Sequence, residues 1–387
     1  MDFDLIIVGA GLAGASLAAA LRSSRLKIAV IESRPPAQCP GWDSRIYAIS
    51  PTNADFLSEI GAWQHLDTHR LTPVYDMQIR GDAGGELSFS AYDCGLRELA
   101  WIVESGLMQR ELWETIKRQH NLTLICPASP SAIDVTDDVA TLTLDDGRTL
   151  TARLVVAADG ARSWVREQVG IEAKTTPYEE KGVVANFRCE KPHRNTAYQW
   201  FRPDGILAYL PLPDHMISIV WSTPHAHADE LVSLGADALC DRVAEAAGHQ
   251  LGALELVTEA AAFPLRLMRV SNPTAPRIAL IGDAAHAIHP LSGHGINLGY
   301  QDAKVLAGLL ADLPAWRDPG EAAILGAYAR ARAEETTLLQ STTHALNRLF
   351  KPDNSLLSGI RNLGLNLTNR LPVIRNSLVR YAVSGHF

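Results

Sequence analysis

Cysteine is sparse in this chain of 387 residues: five are present, Cys39, Cys94, Cys126, Cys189 and Cys240, scattered and odd in number. No two are spaced as a zinc or dithiol motif, so the sequence predicts a reducing, cytoplasmic setting without a metal centre. A surplus of positive charge is missing too. The formal net charge of -8 offers no general attraction to phosphate, and no nucleic-acid role is expected. Long apolar runs are also absent, so no bilayer-spanning segment is predicted. The first apolar stretch, Leu5 to Leu21, lacks the basic start of a signal peptide and carries glycines at fixed spacing. Internal repeats and low-complexity segments are lacking.

What is present is a chain that is 47% hydrophobic, enough for two domains and a tail. Asp4 to Val8 is a short continuous apolar run, as in a parallel strand covered on both faces. Ala13 to Leu21 has helix composition, and Lys27 to Glu32 supplies the next strand. Helices are predicted over Pro51 to Ile60, with Ser50 as cap, and over Leu107 to His120, Gly295 to Leu310 and Glu321 to Leu339. Asp145-Asp146-Gly147 marks a hairpin turn. Between Val183 and Ser222, apolar runs separated by Pro, Asp and Gly predict an antiparallel sheet. A buried strand returns at Arg277 to Ile281, which makes the first domain discontinuous.

Gly9-Ala10-Gly11-Leu12-Ala13-Gly14 lies between a strand and a helix. The first glycine permits a tight turn, the second lets backbone approach a pyrophosphate, and the third allows close helix packing. The helix start attracts the phosphates. Glu32, ending the second strand, suits the ribose hydroxyls. These residues predict a dinucleotide site without distinguishing FAD from NAD.

The distinction comes from the segment Gly282-Asp283-Ala284-Ala285-His286 through His289-Pro290-Leu291-Ser292-Gly293-His294-Gly295-Ile296-Asn297, which resembles the second flavin motif of the aromatic hydroxylases. The resemblance implies that Asp283 bonds the ribityl chain of FAD, while Pro290 and the backbone of Gly293, Gly295, Ile296 and Asn297 face the isoalloxazine. Unpaired amides at a helix start can stabilise negative charge on that ring. Val155 to Arg166 resembles the family's middle motif, which puts Asp159 near FAD and the nicotinamide donor. Arg45 and Arg110 match positions beside the flavin, and Arg34 is assigned to the adenine end. Solvated surface arginines are the alternative for all three. His286, His289 and His294 are clustered in sequence, but a glycine-rich turn explains the segment better than a metal site.

Nearly the whole chain is similar to the ubiquinone-biosynthesis hydroxylases, with the strings Arg45 to Ser50, Gly205 to Leu212 and Ser218 to Ser222 favouring that branch. The resemblance implies an α/β (α+β overall) fold of the para-hydroxybenzoate-hydroxylase type. Its parts are a Rossmann-like FAD-binding domain (1–72, 100–175 and 274–340), an inserted antiparallel-sheet substrate domain (73–99 and 176–273), and C-terminal helices (341–387). It further implies hydroxylation of a polyprenyl phenol, with NAD(P)H as donor and dioxygen activated as a flavin 4a-hydroperoxide. Tyr209, Trp221, Pro290 and Leu291 are the candidate lining of a dry chamber; ordinary core packing is the alternative. Residues 345–387 carry Arg348, Lys351, Arg361, Arg370, Arg375 and Arg380 against Asp353 alone. Leu356, Ile360, Leu363 and Leu367 recur at helical spacing, so this tail either lies on the cytoplasmic face of an anionic membrane or packs on the flavin domain. Subunits of a biosynthetic complex are further candidate partners. The rival functions are another flavoenzyme reaction, such as reduction, a non-catalytic FAD-containing scaffold, or a plain NAD dehydrogenase.

Overall fold

The computed structural model describes residues 1–37, 41–289, 293, 295–350 and 355–371. Among these, the strands form an eight-stranded, a nine-stranded and a three-stranded sheet. The first is built around the parallel neighbours Ile278–Leu280, Thr149–Ala157, Phe3–Val8, Ile28–Ile31 and Leu122–Ile125. Leu5 and Ile7 pack under the helices Leu12–Ala20, Ser105–Lys117 and Gly295–Leu310, while Ile6 and Val8 pack on the opposite face with Leu142 and Leu280. Burial on both sides is why this strand reads as a continuous apolar run. The Asp145-Asp146-Gly147 turn joins Ala140–Leu144 to Thr149–Ala157 as expected, with Gly147 at φ 85°.

The nine-stranded sheet is larger than the three runs that announced it. It takes in Asp76–Arg80 and Glu86–Ser90 at one end, and Ala261–Val270 and His286–Ala287 at the other. Its side chains alternate. Phe187, Leu207, Tyr209, Ile217, Ile219 and Trp221 face the helices His225–Ser233 and Ala236–Ala246. Leu210, Leu212 and Met216 face the small sheet of Ile46–Ile49, Ala100–Glu104 and Thr72–Val74. Each large apolar side chain so buried contributes about 2 kcal/mol.

Three local expectations change. Ser50 makes no side-chain cap for the helix Pro51–Glu59. Its backbone N–H instead donates to Asn297 Oδ1 at 2.9 Å, and its hydroxyl accepts from Asn53 Nδ2. The helix expected to end at Leu339 runs from Ala322 to Phe350, across the expected 340/341 boundary, and the strand Ala173–Cys189 runs across the one at 175/176.

The tail helix Ser355–Arg370 turns its polar residues inward, not toward lipid. Asn362 Oδ1 accepts from Gly85 N–H at 2.8 Å, Asn366 Oδ1 from Glu86 N–H at 2.9 Å, and Asn369 Oδ1 from Ser88 N–H at 3.1 Å. Arg361 pairs with Asp82. The strand Glu86–Ser90 is the sheet's edge, and these asparagines, one helical turn apart, satisfy amides that would otherwise stay open to pairing. The helix therefore packs on the large sheet, where Leu365 meets Ile79 and Phe201. No helix among the described residues is long and apolar enough to cross a membrane.

Candidate functional site

Parallel register brings the motifs together. Val8 lies opposite Ala157 and Ile31, and Ala157 opposite Leu280. The chain therefore leaves neighbouring strands at one edge into Gly9, Glu32, Ala158-Asp159 and Ile281-Gly282. A crevice at the carboxyl ends of parallel strands is where α/β sheets take ligands.

Gly9 has φ 102° and abuts Ala158, so the turn requires a residue without a side chain. Gly11 is different. A Cβ added there would meet nothing within 4 Å, and no side chain caps the helix it opens. The result is an open cradle at a helix start whose first amides have no intrahelical acceptor, suited to a pyrophosphate. Glu32 is aimed at the same loop: its Oε2 accepts from Ala10 N–H at 2.7 Å, and its Oε1 from Ser33 Oγ and Arg34 N–H.

Asp283 follows Gly282, which has φ 59° and sits against Ala13. Asp283 is exposed to solvent, and protein walls its carboxylate on other sides. Crowding by those walls pushes its pKa up, against the charges of His286, Arg45 and Arg266. Asp159 Oδ2 accepts from Val165 N–H at 3.1 Å, whereas its buried Oδ1 has no partner among the described residues. Burial raises this carboxyl as well, outweighing bonds from Ser163 and Val165.

Asn297 uses its side chain as a clamp. Its Nδ2 donates to Ala48 O at 2.7 Å and Gly293 O at 3.1 Å, and its Oδ1 accepts from Ser50 and Asn53. Gly293, at φ 65°, lies against Ala48. Gly295 faces open space, and Ile296 packs on the first core. Pro290, Leu291 and His294 fall outside the described residues.

Arg45 is exposed and Arg110 half-buried; neither side chain has a hydrogen bond or ion pair among the described residues. The Arg45 charge is felt by both Tyr47 and Asp283. Arg34 is exposed, and only its backbone N–H reaches Glu32.

Tyr209 and Trp221 do not line the cleft. Both lie on the helix-covered face of the large sheet, where the Tyr209 hydroxyl donates to Val243 O at 2.8 Å. Strand alternation directs their neighbours to the other side. There Asn186 and Ser218 stand opposite each other in register, both fully buried. Asn186 Nδ2 donates to Asp43 O, but Asn186 Oδ1 and Ser218 Oγ lack partners among the described residues. Sequence reasoning passed over both, although a polar residue at the centre of an apolar strand run was a usable signal. Of the histidines, His286 pairs with Asp302, and His289 is enclosed beside Asn347 and Glu180.

The model of the FAD binding domain family matches residues 2–341. The chain is 33% identical to the ubiquinone hydroxylase UbiL of Rhodospirillum rubrum, over 98% of this chain and 89% of that one. It is 32% identical to the 3-demethoxyubiquinol 3-hydroxylase of Escherichia coli K12, over 98% of both. Its fold is similar to that of p-nitrophenol 4-monooxygenase PnpA from Pseudomonas putida DLL-E4, with TM-score 0.80, 18% identity and 99% of each chain covered. The expected α/β monooxygenase architecture is thus the one observed.

Proposed function

The chain belongs to the ubiquinone-biosynthesis hydroxylases, FAD-dependent aromatic monooxygenases, and from this we propose that it hydroxylates the ring of a polyprenyl phenol or quinone precursor, using NAD(P)H and dioxygen. The observation that carries the reading is the convergence of Gly11, Glu32, Asp159 and Asp283 beyond the ends of adjacent strands.

FAD supplies the redox and oxygen-activating chemistry when bound. The protein binds, orients and excludes water. The bare Gly11 cradle takes the pyrophosphate and Glu32 the adjacent ribose, with Arg34 at the adenine end. Asp283 takes the ribityl chain, with Arg45 and Arg110 neutralising charge nearby. Asp159, with its unused oxygen, faces cofactor or donor. The helix start at Gly295 serves the flavin's pyrimidine side, with the backbone of Gly293, Ile296 and Asn297 along the ring. Residues 1–72, 100–175 and 274–340 form the FAD part, and 73–99 with 176–273 the substrate part. Asn186 holds the Asp43 carbonyl at the substrate side with Ser218 opposite it, and the apolar cluster of Ile46, Leu210, Leu212 and Met216 keeps that side dry.

Membrane contact is proposed through the outward side of the tail helix, where Leu367 and Leu371 are exposed. Flotation with anionic liposomes tests it, and a chain truncated after Leu339 that stays folded and floats as well as the full chain rules it out. For the main reading, the protein is expected to purify yellow, release FAD on denaturation and oxidise NAD(P)H faster when a prenylated phenol is added. The product gains one oxygen atom. A gain of two hydrogens instead would establish a reductase, and no stimulated oxidation would establish a scaffold.

A further inference from the structure

Behind Asp283 lies an enclosed charge network. Asp302, on the helix Gly295–Leu310, is buried, as are His286 and Arg332. Asp302 Oδ2 accepts from Gly282 N–H at 2.9 Å and lies 2.6 Å from His286 Nε2. Its Oδ1 accepts from Arg332 Nε at 2.7 Å. One carboxylate thus fastens both ends of the turn that presents Asp283 to the cleft. Arg332 is also paired with Glu335 and reaches Leu298 O.

The charges around this site decide the state of the histidine. Asp302 and Glu335 are two carboxylates hydrogen-bonded to the one cation Arg332, and Asp283, with the charges of Arg45 and Arg266 felt beside it, lies on the turn itself. Arg269 lies opposite His286 in the register of the neighbouring strand. With Arg332 shared between Asp302 and the half-buried Glu335, a second cation on Asp302 completes the balance of the two carboxylates.

We propose that His286 is held as an imidazolium by Asp302 and is a positioning residue for the flavin, its charge behind Asp283 favouring reduced over oxidised cofactor. Burial penalises that charge, but the charge and hydrogen bond of Asp302 outweigh the penalty and raise the histidine's pKa. Asp302, for its part, is drawn below its ordinary value by His286 and Arg332 despite burial. The inference rests on the flavin reading above, because reduced flavin is the species that gains from a nearby cation.

The test uses the full chain. Nitrogen-15 histidine NMR of cofactor-free protein, assigned with H286Q, should show a doubly protonated ring at neutral pH. H286Q should then weaken reduced FAD relative to oxidised FAD about tenfold, a fall of about 30 mV in the two-electron midpoint potential. Affinity for oxidised FAD should stay near wild type. D302N keeps the imidazole but removes the carboxylate that holds its second proton, so its ring should be singly protonated at neutral pH. A neutral ring in the wild type, or an unchanged potential in H286Q, overturns the inference while leaving the flavin reading intact. A wild-type chain that takes up no FAD overturns both.

Discussion

Gly14 is packed so tightly on the carbonyl oxygen of Gly9 that a Cβ at position 14 would collide with it. The helix Leu12–Ala20 and the loop before it thus interlock through two residues that lack side chains. Gly11, between them, borders open space.

That contrast separates two alanine variants. G14A forces the helix away from the loop, which costs about 1–3 kcal/mol, and should lower the melting temperature of cofactor-free protein. G11A should leave that temperature unchanged yet weaken FAD binding at least about tenfold, because its methyl fills the space of a pyrophosphate. Thermal melts and FAD titration of both variants check this.

Asp159 predicts a pH effect. Its folded-state pKa is raised by burial, so its contribution to stability is present in acid and lost as pH rises through the folded value. D159N should stabilise cofactor-free protein at neutral pH by about 1 kcal/mol. The advantage should vanish as pH falls below the ordinary carboxylate range, a trend that denaturant melts across pH would read directly.

The two faces of the large sheet should respond differently. Y209F removes the bond to Val243 and should cost about 1 kcal/mol of stability with NAD(P)H use still coupled to product. N186A and S218A should instead lower kcat/KM about tenfold, or 1.4 kcal/mol of transition-state stabilisation. Steady-state kinetics with product quantification distinguishes the two outcomes.

Truncation after Phe350 removes the acceptors for Glu86 and Ser88 amides. The shortened protein should self-associate in a concentration-dependent way through its bare edge strand. Light scattering measures it. N362A in the full chain, which strands Gly85 N–H and an Asp82 contact, should cost about 1–3 kcal/mol.

Legibility in the sequence followed the range of the signals. The strand Phe3–Val8, the hairpin at Asp145 to Gly147 and the helix Gly295–Leu310 were readable because local periodicity and turn chemistry specify them. The glycine loop was readable because backbone constraints and the dinucleotide pattern mark it, whereas the segments around Asp159 and Asp283 were assigned through their resemblance to the aromatic hydroxylases. The orientation of Tyr209 and Trp221 was not, since alternation tells which residues share a face but not which face meets the helices at 225–246. Those helices were passed over although Leu239, Cys240, Val243 and Ala246 recur at helical spacing in the second of them, a usable signal. The tail stayed open between two readings for a related reason: Asn362, Asn366 and Asn369 look like a solvated stripe until the edge strand that they serve is known.

The long helix Ala322–Phe350 touches the Asp283 segment and its surroundings at three levels: Arg332 on Asp302, Gln340 on the carbonyls of Met268 and Ala287, and Asn347 on His289. During synthesis, the glycine loop emerges from the ribosome long before the strut that braces the opposite wall of the crevice. Cofactor capture in the cell is therefore a late event, and nascent chains stalled before residue 350 should emerge flavin-free.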